Sequence, residues 1–237
     1  MKSTFWTDRR FAGMALILGC LAFLTAAGLT PRNAQGTYVY TLPTLREQLL
    51  LIFEQQQLWQ WGMMLFMGGT VVTFLGFFLF TRVLREAGAQ VFSQLGLLAS
   101  LIGVLLLLIF LAFDGSVQPW AGEQIAKTGV LPDFYTPFYL WATALFHVYT
   151  FFAFSALALY GAAVLTSRVL PRWIGWAAII YALAGLGFLA YAHDIPPFLH
   201  HLMPIVIGIL LLLPQTQLSR GGRREDEPIV DSMTAVS

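Results

Sequence analysis

The sequence predicts an all-α polytopic membrane protein with six transmembrane helices, and three observations support this prediction. Of the 237 residues, 58% are hydrophobic and only 11% are charged. Six long apolar stretches contain no Asp, Glu, Lys or Arg, and the basic residues between them fall almost entirely on one side. A soluble domain of this size could not bury so many uncharged stretches, whereas lipid requires helices that satisfy their own backbone groups.

The six stretches define membrane segments 1 to 6 in chain order. Five of them comfortably reach the ~20 apolar residues that a bilayer's hydrocarbon layer requires, and the last is just long enough. The segments are Phe11–Leu29, Trp61–Phe80, Leu95–Phe113, Phe138–Leu165, Trp173–Tyr191 and Pro197–Leu213.

The basic residues predict how these segments are threaded. Arg32, Arg46 and Lys127 lie on one side, and ten basic residues lie on the other. By the positive-inside rule the richer side is cytoplasmic, so a bacterial inner-membrane protein with both termini in the cytoplasm is predicted. Residues 1–214 would form the transmembrane domain and residues 215–237 a disordered cytoplasmic tail. The ten residues are Lys2, Arg9, Arg10, Arg82, Arg85, Arg168, Arg172, Arg220, Arg223 and Arg224.

Two segments outside the membrane are long enough to have structure of their own. Thr44-Leu45-Arg46-Glu47 is a capping box, and apolar residues at helical spacing follow it. We therefore predict an amphipathic outer helix before segment 2, either lying on the membrane surface or packed on the bundle as an extension of segment 2. The second external stretch, Asp114–Pro137, is rich in Gly and Pro. This composition predicts a loop with one short helical turn before Gly129.

Small residues predict which helix faces meet, because lipid is as apolar as Leu and close backbone approach must supply the contact. Three segments each carry such residues at helical spacing. They are Gly69, Thr73 and Gly76 in segment 2, Gly96, Ser100 and Gly103 in segment 3, and Ala178, Ala182 and Gly185 in segment 5.

Histidine is the one ionisable residue type inside the predicted membrane region, and intramembrane ionisable groups point to function. His147 lies in the outer half of segment 4, and His200 and His201 open segment 6 on the same side. Imidazoles from two facing helices can hold a haem iron. His147 with His200 or His201 is therefore a predicted haem b or metal site. The alternative is a neutral His147 that is hydrogen-bonded across a helix pair.

Three further residues extend this cluster in the outer third of the molecule. Asp114 ends segment 3, and His193 and Asp194 precede segment 6. Carboxylates with histidine are ligands for a divalent metal, so these three residues are a second predicted metal site. Known protease, nucleotide-binding and hydrolase motifs are absent from the sequence, as is an intramembrane lysine. Enzymatic activity is therefore not predicted.

Three motifs carry a resemblance over most of the chain. They are Leu58-Trp59-Gln60-Trp61-Gly62, Ala112-Phe113-Asp114-Gly115 and the turn from Ser167 to Trp176, in which Pro171 stops one helix before Trp173. In these the chain resembles a family of bacterial six-helix integral membrane proteins known as a domain of unknown function. The resemblance implies the fold and the location, and it implies no activity.

Three functional hypotheses follow. The protein is a scaffold or a small-molecule-binding membrane protein, a membrane redox protein that uses the histidines, or a small-molecule transporter with a polar cavity between segments 2, 4 and 6. The lipid bilayer is the predicted partner, together with a homo-oligomer or another membrane protein. The net charge of +1 predicts no nucleic-acid partner.

Overall fold

The computed structural model describes residues 2–192, 195–196 and 198–214. Within these residues every regular element is a helix, apart from one isolated bridge between Arg32 and Tyr38. A single 3-10 turn at Val39–Thr41 precedes the second helix. The helices are α1 (Lys2–Gly28), α2 (Leu45–Glu54), α3 (Gln56–Glu86), α4 (Gln90–Thr128), α5 (Tyr135–Ser167), α6 (Arg172–Ala192) and α7 (Leu199–Leu212).

Five helices are long and apolar enough to cross a membrane: α1 from Thr7 onward, α3, α4, α5 and α6. They correspond to membrane segments 1 to 5, so the all-helical class and five of the six predicted spans are confirmed at the level of length and composition. α7 corresponds to segment 6 but has only 14 residues. At 1.5 Å per residue it is about 21 Å long, which is shorter than a hydrocarbon layer of about 30 Å.

α1 packs closely against both α3 and α7 through glycine. A Cβ at Gly69 of α3 would lie 2.7 Å from the Gly19 carbonyl oxygen of α1, and one at Gly76 would lie 2.8 Å from the Leu16 nitrogen. A Cβ at Gly13 would lie 2.7 Å from the Gly208 carbonyl oxygen of α7. These backbones come into contact because glycine has no side chain. This is the packing that the small residues of segment 2 predict.

The other half of the bundle is built from α4, α5 and α6 in the same way. A Cβ at Gly96 of α4 would meet the ring of Tyr160 on α5, and one at Gly185 of α6 would meet the ring of Phe154. Ala178 and Ala182 of α6 are buried. The small-residue faces predicted for segments 3 and 5 are therefore confirmed, and contacts between α3 and α4 join the two halves.

One end of the bundle gathers the basic turns, and we call it the basic end. Arg82 at the end of α3 forms a 3.2 Å ion pair with Asp8 of α1. Arg9 is buried and donates to the carbonyl oxygens of Leu210 and Leu213, each at 3.2 Å. The last turn of α3 and the turn after α5 share one apolar core cluster through Val83, Leu84, Val169 and Leu170. The start of α1 and the ends of α3, α5 and α7 therefore lie together.

At the opposite end, the loop predicted over Asp114–Pro137 is wrong. α4 continues to Thr128 with Pro119 inside it, and Gly129 caps its end with a left-handed φ of 76°. α2 packs on this extension, because Gly122 has no Cβ that would clash with the Leu49 carbonyl. Tertiary contact thus outweighs the local preference of Gly and Pro.

The predicted amphipathic helix is confirmed as α2. The Thr44 hydroxyl accepts from the Glu47 amide at 3.2 Å, which is the expected N-terminal cap. Leu49, Leu51 and Ile52 are buried on its inner side. Of the two predicted placements, the structure shows the helix packed on the bundle, as a separate element that ends at Gln55.

Candidate functional site

A cavity lies inside the bundle between α3, α4, α5 and α7. Its volume is about 60 Å³. At ~10–15 Å³ for each water molecule, the cavity has room for several water molecules or part of a small ligand. Most of the lining is apolar. Its polar members are Thr70, Thr73, Ser100, Tyr149, His200 and His201.

α7 brings both histidines to this cavity because it begins inside the bundle. The Tyr181 hydroxyl of α6 donates to the Leu199 carbonyl at 2.5 Å, which fixes the first turn of α7. The ring of His200 then lies 5.1 Å from that of Tyr149 and 5.0 Å from that of Phe154, measured between centroids. Phe154 is near the middle of α5, so His200 and His201 lie deeper than the outer third that the sequence predicts.

His201 is a buried polar side chain whose hydrogen-bonding atoms are unpaired among the described residues. It is 4% exposed, and its ring centroid lies 3.9 Å from that of Phe23 on α1. Neither ring nitrogen has a hydrogen-bond partner in the described part of the chain. A neutral imidazole carries one donor and one acceptor, and buried polar groups are normally paired. The ring therefore offers one donor and one acceptor that no group of the described residues uses.

The protons of the two threonine hydroxyls that line the cavity are already engaged. Thr70 donates its hydroxyl proton to the Phe66 carbonyl and Thr73 donates to the Gly69 carbonyl, each at 2.8 Å. Each oxygen keeps lone pairs that can accept a hydrogen bond. No Asp, Glu, Lys or Arg is among the lining residues of the described chain. The cavity is therefore suited to an uncharged molecule that donates hydrogen bonds.

His147 lies outside this cavity. It is half-buried on α5, and the ring next to it is that of Phe146, 6.5 Å away. His147 and Tyr149 are two residues apart, and so point about 200° apart around the helix, which turns the imidazole away from His200. The structure thus brings His200 and His201 together without His147. The haem site stays a prediction that an absorption spectrum of the purified protein can test.

Of the second predicted metal site, the structure describes only Asp114, because His193 and Asp194 lie outside the described residues. Among the described residues, no group of three or more His, Cys, Asp and Glu side chains is placed to hold a metal ion. Asp114 instead has neutral neighbours. Its Oδ1 accepts from Gln118 Nε2 at 2.5 Å, and its backbone carbonyl accepts from Trp59 Nε1 at 2.8 Å.

Sequence reasoning missed Thr70, Tyr149 and Gln118 as site residues. Thr70 follows Gly69 on the small-residue face of segment 2, and this adjacency is the one signal that could have found it. Tyr149 carries no such signal because aromatic residues are frequent throughout the apolar segments, and Gln118 lies in the Gly- and Pro-rich stretch that predicts a loop.

Comparisons of the chain with protein families, with curated proteins and with solved structures found no match. The resemblance to the bacterial six-helix family stays a prediction that rests on the three motifs.

Proposed function

We propose that this chain is a multi-pass protein of the bacterial inner membrane that binds a small uncharged molecule in the cavity between α3, α4, α5 and α7. The observation that carries the proposal is His201. Its buried ring faces a cavity and offers a donor and an acceptor that no described residue takes up. Leaving a buried polar group unpaired is costly, so a ligand that pairs with it gains the corresponding free energy.

The orientation follows from the basic end. Arg82, Arg85, Arg168 and Arg172 lie in or beside the turns at that end, so the positive-inside rule makes it cytoplasmic. α7 runs back toward the same end, where Arg9 holds its last carbonyls. This threading gives six crossings with both termini in the cytoplasm, and the sixth crossing uses α7 although it is short.

The lining also defines the class of ligand. Threonine oxygens and one imidazole nitrogen accept hydrogen bonds, and the imidazole N–H donates one. The remaining lining is aliphatic or aromatic, including Phe74, Leu107 and Pro204. A molecule with a hydroxyl or amide N–H group on an apolar body matches this pattern, because it stays uncharged, donates hydrogen bonds and dissolves in the bilayer.

Co-purification tests the proposal. The protein is purified in a mild detergent, extracted with organic solvent, and the extract is analysed by mass spectrometry. We expect one small molecule in near-stoichiometric amount from the wild-type protein. His201→Phe keeps a ring but removes both nitrogens, and should lower the amount about tenfold, since one hydrogen bond is worth about 1.4 kcal/mol here. His147→Phe is the matched control and should retain the molecule.

A second pair of variants tests whether the molecule occupies the cavity, independently of the imidazole. A Cβ at Gly103 would make only ordinary contacts, the nearest at 3.4 Å from Phe152, so Gly103→Leu places its side chain in the cavity. Gly68 on α3 is exposed with nothing within 4 Å, so Gly68→Leu makes the same change facing lipid. Loss of the molecule in the first and not in the second is expected. Wild-type protein that carries no such molecule, or full retention in both cavity variants, would contradict the proposal.

A transporter is the second candidate, because α7 starts inside the bundle beside the cavity. Transporters commonly form their substrate sites from interrupted helices near the middle of the membrane. The transporter hypothesis predicts a polar cavity between α3, α5 and α7, whereas the cavity at this place has a largely apolar lining. Proteoliposomes that exchange the isotopically labelled ligand across the bilayer would favour transport, and binding without exchange would count against it.

A further inference from the structure

The turn between α5 and α6, at the basic end, carries two exposed arginines, Arg168 and Arg172. Neither takes part in an ion pair among the described residues, whereas Arg82 at the end of α3 is paired with Asp8. The two helices that flank the turn contain no Asp or Glu. Two positive charges therefore lie in residues 168–172 without a carboxylate to neutralise them.

The backbone of Arg168 is unusual for an arginine. Its φ of 56° is left-handed, and among the described residues no other residue except glycine has such a φ. The turns after α3 and α4 place Gly88 and Gly129 in this conformation. Glycine adopts it without steric cost, whereas a residue with a Cβ is strained there. A turn alone would form more easily with glycine, so the chain retains a guanidinium here at the cost of local strain.

Close packing of α5 on α6 fixes the position of this turn. A Cβ at Gly161 of α5 would lie 2.7 Å from the Gly175 carbonyl oxygen of α6, so the two backbones are in contact. Val169 and Leu170, which lie between the two arginines, are buried in the apolar core. The guanidinium groups are therefore attached to a fixed backbone, which lowers the entropy that is lost when they bind a partner.

An exposed apolar face of α6 leads from this turn along the helix. Its residues follow one another at helical spacing on the same side as Arg172, and each is more than half exposed. Tryptophan near a membrane boundary lies at the depth of the lipid head groups, and the aliphatic side chains beyond it lie among acyl chains. The face therefore matches the polarity of a phospholipid along its length. Its residues are Trp173, Trp176, Ile180 and Leu183.

We propose that Arg168 and Arg172 bind the phosphate of an anionic phospholipid whose acyl chains lie along this face of α6. Guanidinium groups recognise phosphate through paired N–H donors, and a head group with a net negative charge complements the unpaired positive charge of the turn. Arginines near a membrane surface attract anionic lipid in this way. The site shares no residue with the cavity that contains His201, so it can be tested independently of the ligand proposed there.

Thermal unfolding of the purified full-length protein in a mild detergent tests the site. Phosphatidylglycerol or phosphatidylcholine is added stepwise to the micelles. Both lipids carry a phosphate, but only phosphatidylglycerol has a net charge. A lipid that binds the folded state alone raises the unfolding midpoint, so we expect a saturable rise with phosphatidylglycerol and little change with phosphatidylcholine. Equal responses to the two lipids, or no response to either, would overturn the proposal.

Glycerol phosphate separates a lipid from a free phosphate ester. It carries the charged group without acyl chains, so it cannot use the apolar face of α6. We expect no rise of the midpoint at the concentration at which phosphatidylglycerol gives half of its effect. A rise as large as that with phosphatidylglycerol would assign the arginines to a soluble phosphate ester and overturn the lipid site.

Three variants locate the response. Arg172→Gln should raise the phosphatidylglycerol fraction needed for half of the effect by about fivefold. Arg168→Gly should weaken the response by a similar factor, and because glycine suits the left-handed backbone, its midpoint without added lipid should stay the same or rise. Arg85→Gln removes an exposed charge from the last turn of α3 at the same end and should keep the wild-type response. An equal loss in all three variants, or an unchanged response in both Arg168→Gly and Arg172→Gln, would overturn the proposal.

Discussion

Among single residues, the buried polar side chains of this bundle divide into those that pair with one another and those that face a cavity. The Tyr160 hydroxyl belongs to the first kind, because it lies 2.9 Å from Thr81 Oγ1 in the buried region between α3 and α5. His201 belongs to the second, since it lines the cavity and neither of its ring nitrogens has a partner among the described residues. Side chains of the first kind stabilise the fold through their hydrogen bonds. Side chains of the second kind are the ones that a ligand would contact.

The Tyr160–Thr81 pair gives a prediction for stability. Tyr160→Phe leaves the ring in place and removes the hydroxyl, so it should lower the free energy of unfolding in detergent by about 0.5–1.5 kcal/mol. Thermal unfolding of the purified variant measures this. Tyr191→Phe makes the same change at a residue that is 87% exposed and should have no effect.

A double-mutant cycle separates the pair from its surroundings. Thr81→Val alone should also lower the stability, but adding it to Tyr160→Phe should cost less than the sum of the two single changes. Strict additivity would show that the two hydroxyls do not stabilise each other.

Among helices and turns, the sequence predicts best where lipid imposes a simple rule. Five membrane segments appear as helices because crossing the hydrocarbon layer requires about 20 apolar residues without charge. The contacts of Gly69, Gly96 and Gly185 were predictable for a similar reason, since helices in lipid approach through small residues.

Neighbouring glycines on α3 test this packing rule. Ala is favoured over Gly within a helix by about 1 kcal/mol, so Gly68→Ala, where nothing lies within 4 Å, should leave stability unchanged or raise it. Gly69→Ala puts a Cβ 2.7 Å from the Gly19 carbonyl oxygen and 2.8 Å from the Phe23 amide nitrogen. These are backbone atoms, so α1 and α3 must move apart and the unfolding midpoint should fall. Equal midpoints for the two variants would show that this close approach contributes little.

The elements that the sequence did not predict depend on tertiary contact. Gly115, Pro119 and Gly122 indicate a loop locally, but α2 packs on Gly122, α3 contacts Gly115, and α4 continues as helix to Thr128. The start of α7 is a similar case. The apolar pattern of segment 6 predicts the length of α7 approximately. The depth in the bundle at which α7 begins, at Leu199, depends instead on the hydrogen bond from Tyr181 of α6. The cavity follows from that depth, so no local pattern reveals it.

For the whole molecule, the packing and the charge pattern lead to the same threading. Asp8 with Arg82, and Arg9 with the last carbonyls of α7, bring the start of α1 and the ends of α3 and α7 together. These contacts are independent of the positive-inside rule, which uses only the sequence. The packing establishes which helix ends lie together, and the rule then proposes which compartment they face.

Cysteine labelling of intact cells and of broken cells tests that threading. The one native cysteine, Cys20, is buried within α1 and should not react with a membrane-impermeant maleimide. Gln35→Cys and Asp133→Cys introduce exposed thiols at the end opposite the basic end, and we expect both to be labelled when only the outer membrane is permeable. Glu86→Cys places an exposed thiol at the basic end and should react only after the inner membrane is broken. Labelling of Glu86→Cys in cells with an intact inner membrane would reverse the proposed orientation, and it would leave the packing of the helices unaffected.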